Sequence, residues 1–109
     1  MNQARASRGL PALRLSGGLS AKAQAWANHM AATGRFEHSV LTEDVPAGWR
    51  GLAENIGYAG SVRAVHDAWV ASPGHLANMT GAEFDNVGVG LARVGNRLYA
   101  VHVFGDYLP

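Results

Sequence analysis

The chain has no cysteine. A disulfide framework and any thiolate metal site are therefore excluded, and packing alone must hold the fold together. Strong charge of either sign is missing as well. Nine Lys and Arg stand against eight Asp and Glu, a net charge of +1, and the basic residues are scattered from Arg5 to Arg97. Nucleic acid recognition needs a basic stripe, so no nucleic acid partner is expected. Nor does any apolar run approach the ~18 to 20 residues of a membrane span. No membrane span is expected, and the first residues show no signal-peptide pattern.

What is present fits a compact folded protein. Hydrophobic residues make up 48% and charged residues 16% of 109 positions, a balance unlike that of disordered chains. The length suits one core rather than two, so residues 1–109 read as a single domain.

The stretch "SGGLSAKAQAWANHMAATG" places Leu19, Ala23, Trp26, Ala27 and Met30 on one face of a 3.6-residue period, the mark of an amphipathic helix. Ser20 is the expected N-cap and Gly34 the stop. Before it, "MNQARASRGLPAL" offers a short helical piece broken at "GLP". "EDVPAGWRG" reads as a loop, and "LAENIGY", Leu52 to Tyr58, as a strand with Leu52, Glu54, Ile56 and Tyr58 on one face. A second helix, "SVRAVHDAWVAS", starts from Ser61 and must end before Pro73. Ser72 then caps a new turn with Pro73 at its first position. "NVGVGLARV" and "RLYAVHVFG", joined by "GN", form a hairpin. One face of its first strand carries Val87, Val89 and Leu91, and the other only Gly88, Gly90 and Ala92. Small residues on a strand face admit close packing. These elements predict an α+β fold, a three-layer α-β-α sandwich with a largely antiparallel central sheet.

Five histidines are candidates for chemistry: His29, His38, His66, His75 and His102. His29 and His66 fall on polar or marginal helix positions and read as solvated. His102 shares a strand face with Phe104 and reads as a hydrogen-bonded core histidine. His38 in "FEHS" and His75 in "SPGH" stand in a loop and at a helix start, where sites are usually built. Glu54 sits among hydrophobic neighbours and needs a partner or a cleft. Two imidazoles and a carboxylate suffice for an open zinc site completed by water, although their spacing alone is not diagnostic. Ser72 invites a nucleophile reading with His75 as base. An N-cap hydroxyl is already engaged with backbone N–H groups, and no G-x-S-x-G elbow exists, so that reading is disfavoured.

Taken in order, "NQARASRGLPAL", "LSAKAQAWANHMAATGRFEHS", "AENIGY", "AVHDAWVASPGHLANM", "FDNVGVGLA" and "YAVHVFG" resemble the CAP superfamily, or SCP domain, of cysteine-rich secretory, antigen 5 and pathogenesis-related 1 proteins. The resemblance spans essentially the whole chain and points to the bacterial-type branch without cysteines. It implies an α-β-α sandwich and an extracellular or cell-surface location. It also implies a cleft of two histidines and two glutamates in which the histidines can bind zinc. By motif, His38 resembles the first histidine, Glu54 the first glutamate and His75 the second histidine. The second glutamate falls on Ser72, and Ala53 replaces the usual glycine of "GEN". Asn78 matches a polar position that holds the helix or loop in place. The resemblance favours a non-enzymatic module whose cleft of His38, Glu54, Ser72, His75 and Asn78 binds lipid-like or protein partners, with Zn2+ on His38 and His75 as the cofactor it admits. Its alternatives are a metal-dependent, peptidase-like hydrolase with Glu54 as general base, and a purely structural domain. Neither the ligand nor the oligomeric state is indicated.

Overall fold

The structure, a computed structural model, describes residues 1–107. Its elements are α1 (Asn2–Ala6), β1 (Arg14–Leu15), α2 (Gly17–Thr33), β2 (Gly51–Ala59), α3 (Val62–Val70), α4 (Pro73–Met79), β3 (Asn86–Val94) and β4 (Arg97–Asp106). The α+β class follows the sequence reading, and the strands lie in the order β1-β3-β4-β2. The sheet is mixed rather than largely antiparallel. β4 runs antiparallel to both β2 and β3, whereas β1 runs parallel to β3, with Arg14 opposite Asn86. The two residues of β1 have no alternation to betray them. They join the sheet only through tertiary bonds, Arg14 N to Asp85 O and Ser16 N to Val87 O, both 2.9 Å.

Helix α2 buries Leu19, Ala23, Ala27 and Met30 completely, the face its periodicity marks. Its N-cap is Ser16 rather than Ser20: Ser16 Oγ accepts from Leu19 N at 3.2 Å. Gly17 and Gly18 continue the helix back to that point. Ser20 instead accepts the Val89 N–H of β3 at 3.2 Å. Gly34 closes the helix with φ 71°, a left-handed conformation that glycine adopts without steric cost.

The small face of β3 lies under α2. A Cβ at Gly88 would fall on the main chain of Leu19 and Ser20, and one at Gly90 on that of Ala23 and Gln24. Tyr99, Val101 and Val103 of β4 join this α2 cluster. Ala100 and Phe104 point to the other face, where they meet Val65 and Trp69 of α3 and Met79 of α4. The hairpin turn carries Gly95 at φ 58°, as a tight connection between twisted strands requires.

A buried arginine secures the other end of the molecule. Arg5, 1% exposed, donates to the carbonyls of Pro11, Met79, Gly81 and Phe84 at 2.8 to 3.3 Å. Burial lowers its pKa, against a smaller opposing effect of Glu83. Its partners include a carbonyl from the last turn of α4, the negative end of the helix dipole.

β2 is an edge strand, and unpaired edge groups invite aggregation unless covered. Here side chains of α3 and α4 cover it. Trp69 Nε1 donates to Ile56 O at 3.1 Å and Asn78 Nδ2 to Glu54 O at 3.4 Å. This contact brings α4 alongside the Glu54 main chain.

Candidate functional site

Glu54 is directed inward from β2, and its side chain is only 1% exposed. A buried carboxylate without partners is costly, and the loop after α2 supplies them. Oε1 lies 2.8 Å from His38 Nδ1 and accepts from Ser39 N at 3.0 Å, while Ser39 Oγ donates to Oε2. His38 itself is 64% exposed. With Nδ1 turned to the carboxylate, its Nε2 is left to solvent or ligand.

His75 is held differently. Its Nδ1 shares a 2.8 Å hydrogen bond with Ser72 Oγ, and its ring stacks on Trp69 with centroids 6.1 Å apart and planes at 14°. Ser72 occupies the N-cap position of α4, but its side chain makes no capping hydrogen bond. The expectation that capping engages this hydroxyl is thus corrected. A proline stands at the first helical position, and the hydroxyl is drawn instead to the imidazole one turn on. Ser72 orients the second histidine at the place where the family resemblance implies a glutamate.

A polar ladder connects the two halves. Asn78 Nδ2 donates to Asn55 Oδ1 at 2.9 Å, and Asn55 Nδ2 to His75 O at 3.1 Å. Asn55 is fully buried and makes the only side-chain tie to the His75 backbone among the described residues. Sequence reasoning gave no role to Ser39 or Asn55. Their one signal is adjacency, since each directly follows a candidate, in "FEHS" and "AEN".

The two imidazoles do not share a hollow. His38 lines a cavity of about 580 Å³ between α2 and the following loop, together with Lys22, Trp26 and His29. His75 lines a smaller one of about 210 Å³ with Phe36, Tyr58 and Trp69. Among the described residues no three His, Cys, Asp or Glu side chains form a metal-binding group. Both oxygens of Glu54 are engaged by His38 and Ser39, so the donor set for a cation is two imidazoles. That falls short of the three protein ligands usual in an open zinc site.

His29 lines the His38 cavity. His29 stacks on Trp26 with centroids 4.6 Å apart. His102 lies against Trp69 and Phe104, and its buried Nδ1 has no hydrogen-bond partner among the described residues, unlike the hydrogen-bonded core histidine expected. Desolvation, with smaller effects of the Met1 amino group and His66, lowers its pKa to about 4.

A long helix seated on strand glycines and a mixed four-stranded sheet ending in a hairpin make an α+β domain. The sequence matches CAP, the cysteine-rich secretory protein family, over residues 1–107, and the chain belongs to that family. A comparison with curated protein sequences gave no match. Among solved structures, an outer surface protein of Borrelia burgdorferi superposes with TM-score 0.88 at 17% identity, covering 98% of this chain and 86% of that one. An extracellular SCP-domain protein of Bacillus anthracis gives TM-score 0.78 at 25% identity, covering 95% and 37%. A cysteine-rich secretory protein of Staphylococcus aureus gives 0.79 at 22%, covering 96% and 35%. The chain thus spans little more than a third of the length of the last two.

Proposed function

We propose that the chain is a non-enzymatic CAP-type binding module that works outside the cell or at its surface. In this reading the helices on the two faces of the sheet make the three-layer α-β-α sandwich of the family. Of the cleft residues His38, Glu54, Ser72, His75 and Asn78, the two imidazoles face a lipid-like or protein partner, and Glu54, Ser72 and Asn78 hold them and their elements in place. The observation that carries the reading is the way both imidazoles are anchored. His38 is fixed through Nδ1 by Glu54 and His75 through Nδ1 by Ser72, which leaves Nε2 of each directed to a ligand on a rigid base. Glu54 is sealed behind its partners with 1% of its side chain exposed. A general base must reach the proton it abstracts, so the hydrolase reading lacks its base.

The test is retention of a labelled sterol or fatty acid, and of candidate surface proteins, against a control protein of similar size. Retention that drops in His38→Ala and His75→Ala supports the module. Peptide hydrolysis by the wild type that is lost in His75→Ala would replace it with the enzyme. Zinc titration followed at the two imidazole NMR signals reads the cation separately. Unchanged signals near neutral pH remove metal from the account.

A further inference from the structure

Tyr58 is 45% exposed and Phe36 47%, and neither the core nor the His–Glu pair accounts for them. The two rings meet edge to face at 4.8 Å, and Tyr99 lies 5.9 Å from Tyr58. The Arg97 guanidinium carbon stands 4.4 Å from the Tyr58 centroid. Tyr58 also divides two hollows. The one holding His75 measures about 210 Å³, and the other, about 430 Å³, is bordered by Val94, Asn96 and Arg97. Neither is lined by an Asp or Glu. Among the described residues Arg97 has no carboxylate partner, and its one side-chain hydrogen bond runs to Tyr99 Oη at 3.4 Å. A second cation, Arg93, reaches Gly60 O at 3.2 Å beside the same hollow.

We infer that this strip is a subsite for a small aromatic carboxylate, its ring against Phe36 and Tyr58 and its carboxylate on Arg97. The inference rests on the reading of the molecule as a ligand-binding module and gives that module a ligand class. Three features select the ligand. The lining carries positive charge only, and guanidinium pairs with carboxylate by two parallel hydrogen bonds. The apolar walls are flat rings, which reward a planar partner with offset or edge contacts. Trp69 and Val65 pack closely on Gly57 in the hollow that holds His75, where a Cβ would lie 2.8 Å from Trp69 Nε1 and 3.0 Å from Val65 Cγ1. A rigid ring also loses less freedom on binding than a flexible chain.

The test is an NMR and calorimetric titration of the whole chain with 2-naphthoate, with 2-naphthamide and octanoate as comparison ligands. Naphthoate is expected to move the Tyr58 and Phe36 signals and the Arg97 Nε–H in a saturable way. Arg97→Gln and the neutral amide should each weaken binding about tenfold, the size of one lost charged hydrogen-bonded contact. No movement at Tyr58, affinity unchanged in Arg97→Gln, or octanoate binding as tightly as naphthoate would each overturn the inference. Failure of the module itself reads differently: lipid and protein retention would be absent or indifferent to His75→Ala, whatever naphthoate does at Tyr58.

Discussion

His38 Nδ1 lies 2.8 Å from Glu54 Oε1, joining a side chain that is 64% exposed to one that is 1% exposed. The pair is a transfer of order from the core to the surface. β2 fixes the carboxylate, the carboxylate fixes the ring, and the ring holds the loop after α2 near its cavity. Glu54→Ala removes the shared acceptor of His38 and Ser39 and leaves a void in the core. A loss of about 2 to 3 kcal/mol is expected from the hydrogen bonds to a charged group, measured by urea unfolding. Glu54→Gln should recover part of it, and the His38 ring signals should broaden or shift in both variants.

The seat of α2 on β3 gives a sharper steric test. Gly88→Ala and Gly90→Ala place a methyl on helix main chain, which cannot rotate away as a side chain would. Overpacking typically costs about 1 to 3 kcal/mol, and the upper end or a failure to fold is expected here. Gly74→Ala, whose Cβ would meet nothing within 4 Å, is the control and should be neutral or slightly stabilising in thermal melts.

Much of this architecture is legible in the sequence, for identifiable reasons. The α2 stripe, the hairpin and the bare face of β3 follow from periodicity and residue size, which act locally. The parallel strand β1 does not, because a two-residue strand exists only by virtue of Asp85 and Val87 across the sheet. The Ser16 cap is hidden because Gly17 and Gly18, poor helix formers, separate it from the first apolar residue of the stripe. In the site, motif order singles out His38, Glu54, Ser72, His75 and Asn78, but not the bonds among them. Ser39 and Asn55 act through tertiary geometry, and no pattern along the chain records that Ser72 turns from its own helix to the His75 ring.

His102 predicts the pH response. In the folded chain its pKa is lowered to about 4, against ~6.5 for an unperturbed imidazole. Between these values the unfolded state binds the extra proton, so stability rises with pH across that window. Below about 4 this contribution levels off. The difference corresponds to about 3 kcal/mol between acid and neutral conditions. Urea midpoints from pH 4 to 7.5 should show the slope, and His102→Phe should flatten it. An unchanged slope in that variant would assign the effect elsewhere.

Arg5 predicts a specific failure of a conservative change. Its guanidinium serves four carbonyls from separate directions, whereas an ammonium offers donors from a single nitrogen. Arg5→Lys should therefore destabilise nearly as much as Arg5→Met, by about 3 kcal/mol or more given the cost of each unsatisfied buried acceptor. Differential scanning calorimetry of the two variants checks this. Full rescue by lysine would mean that charge at the end of α4, rather than the fork, secures the N-terminal segment.

The two serines that begin α3 and α4 separate capping from orientation. Ser61 Oγ accepts from Ala64 N at 3.1 Å, so Ser61→Ala loses a true cap and should cost about 1 kcal/mol. Ser72 Oγ bonds His75 Nδ1 at 2.8 Å and caps nothing, so Ser72→Ala should cost less, within about 0.5 kcal/mol as for a surface change. Its effect falls on the ring instead. The His75 imidazole signals should move in Ser72→Ala and stay in place in Ser61→Ala. Retained ligand should fall in the Ser72 variant alone, because only there does Nε2 lose its fixed direction. Equal stability losses at the two positions, with His75 undisturbed, would restore Ser72 to the role of an ordinary cap.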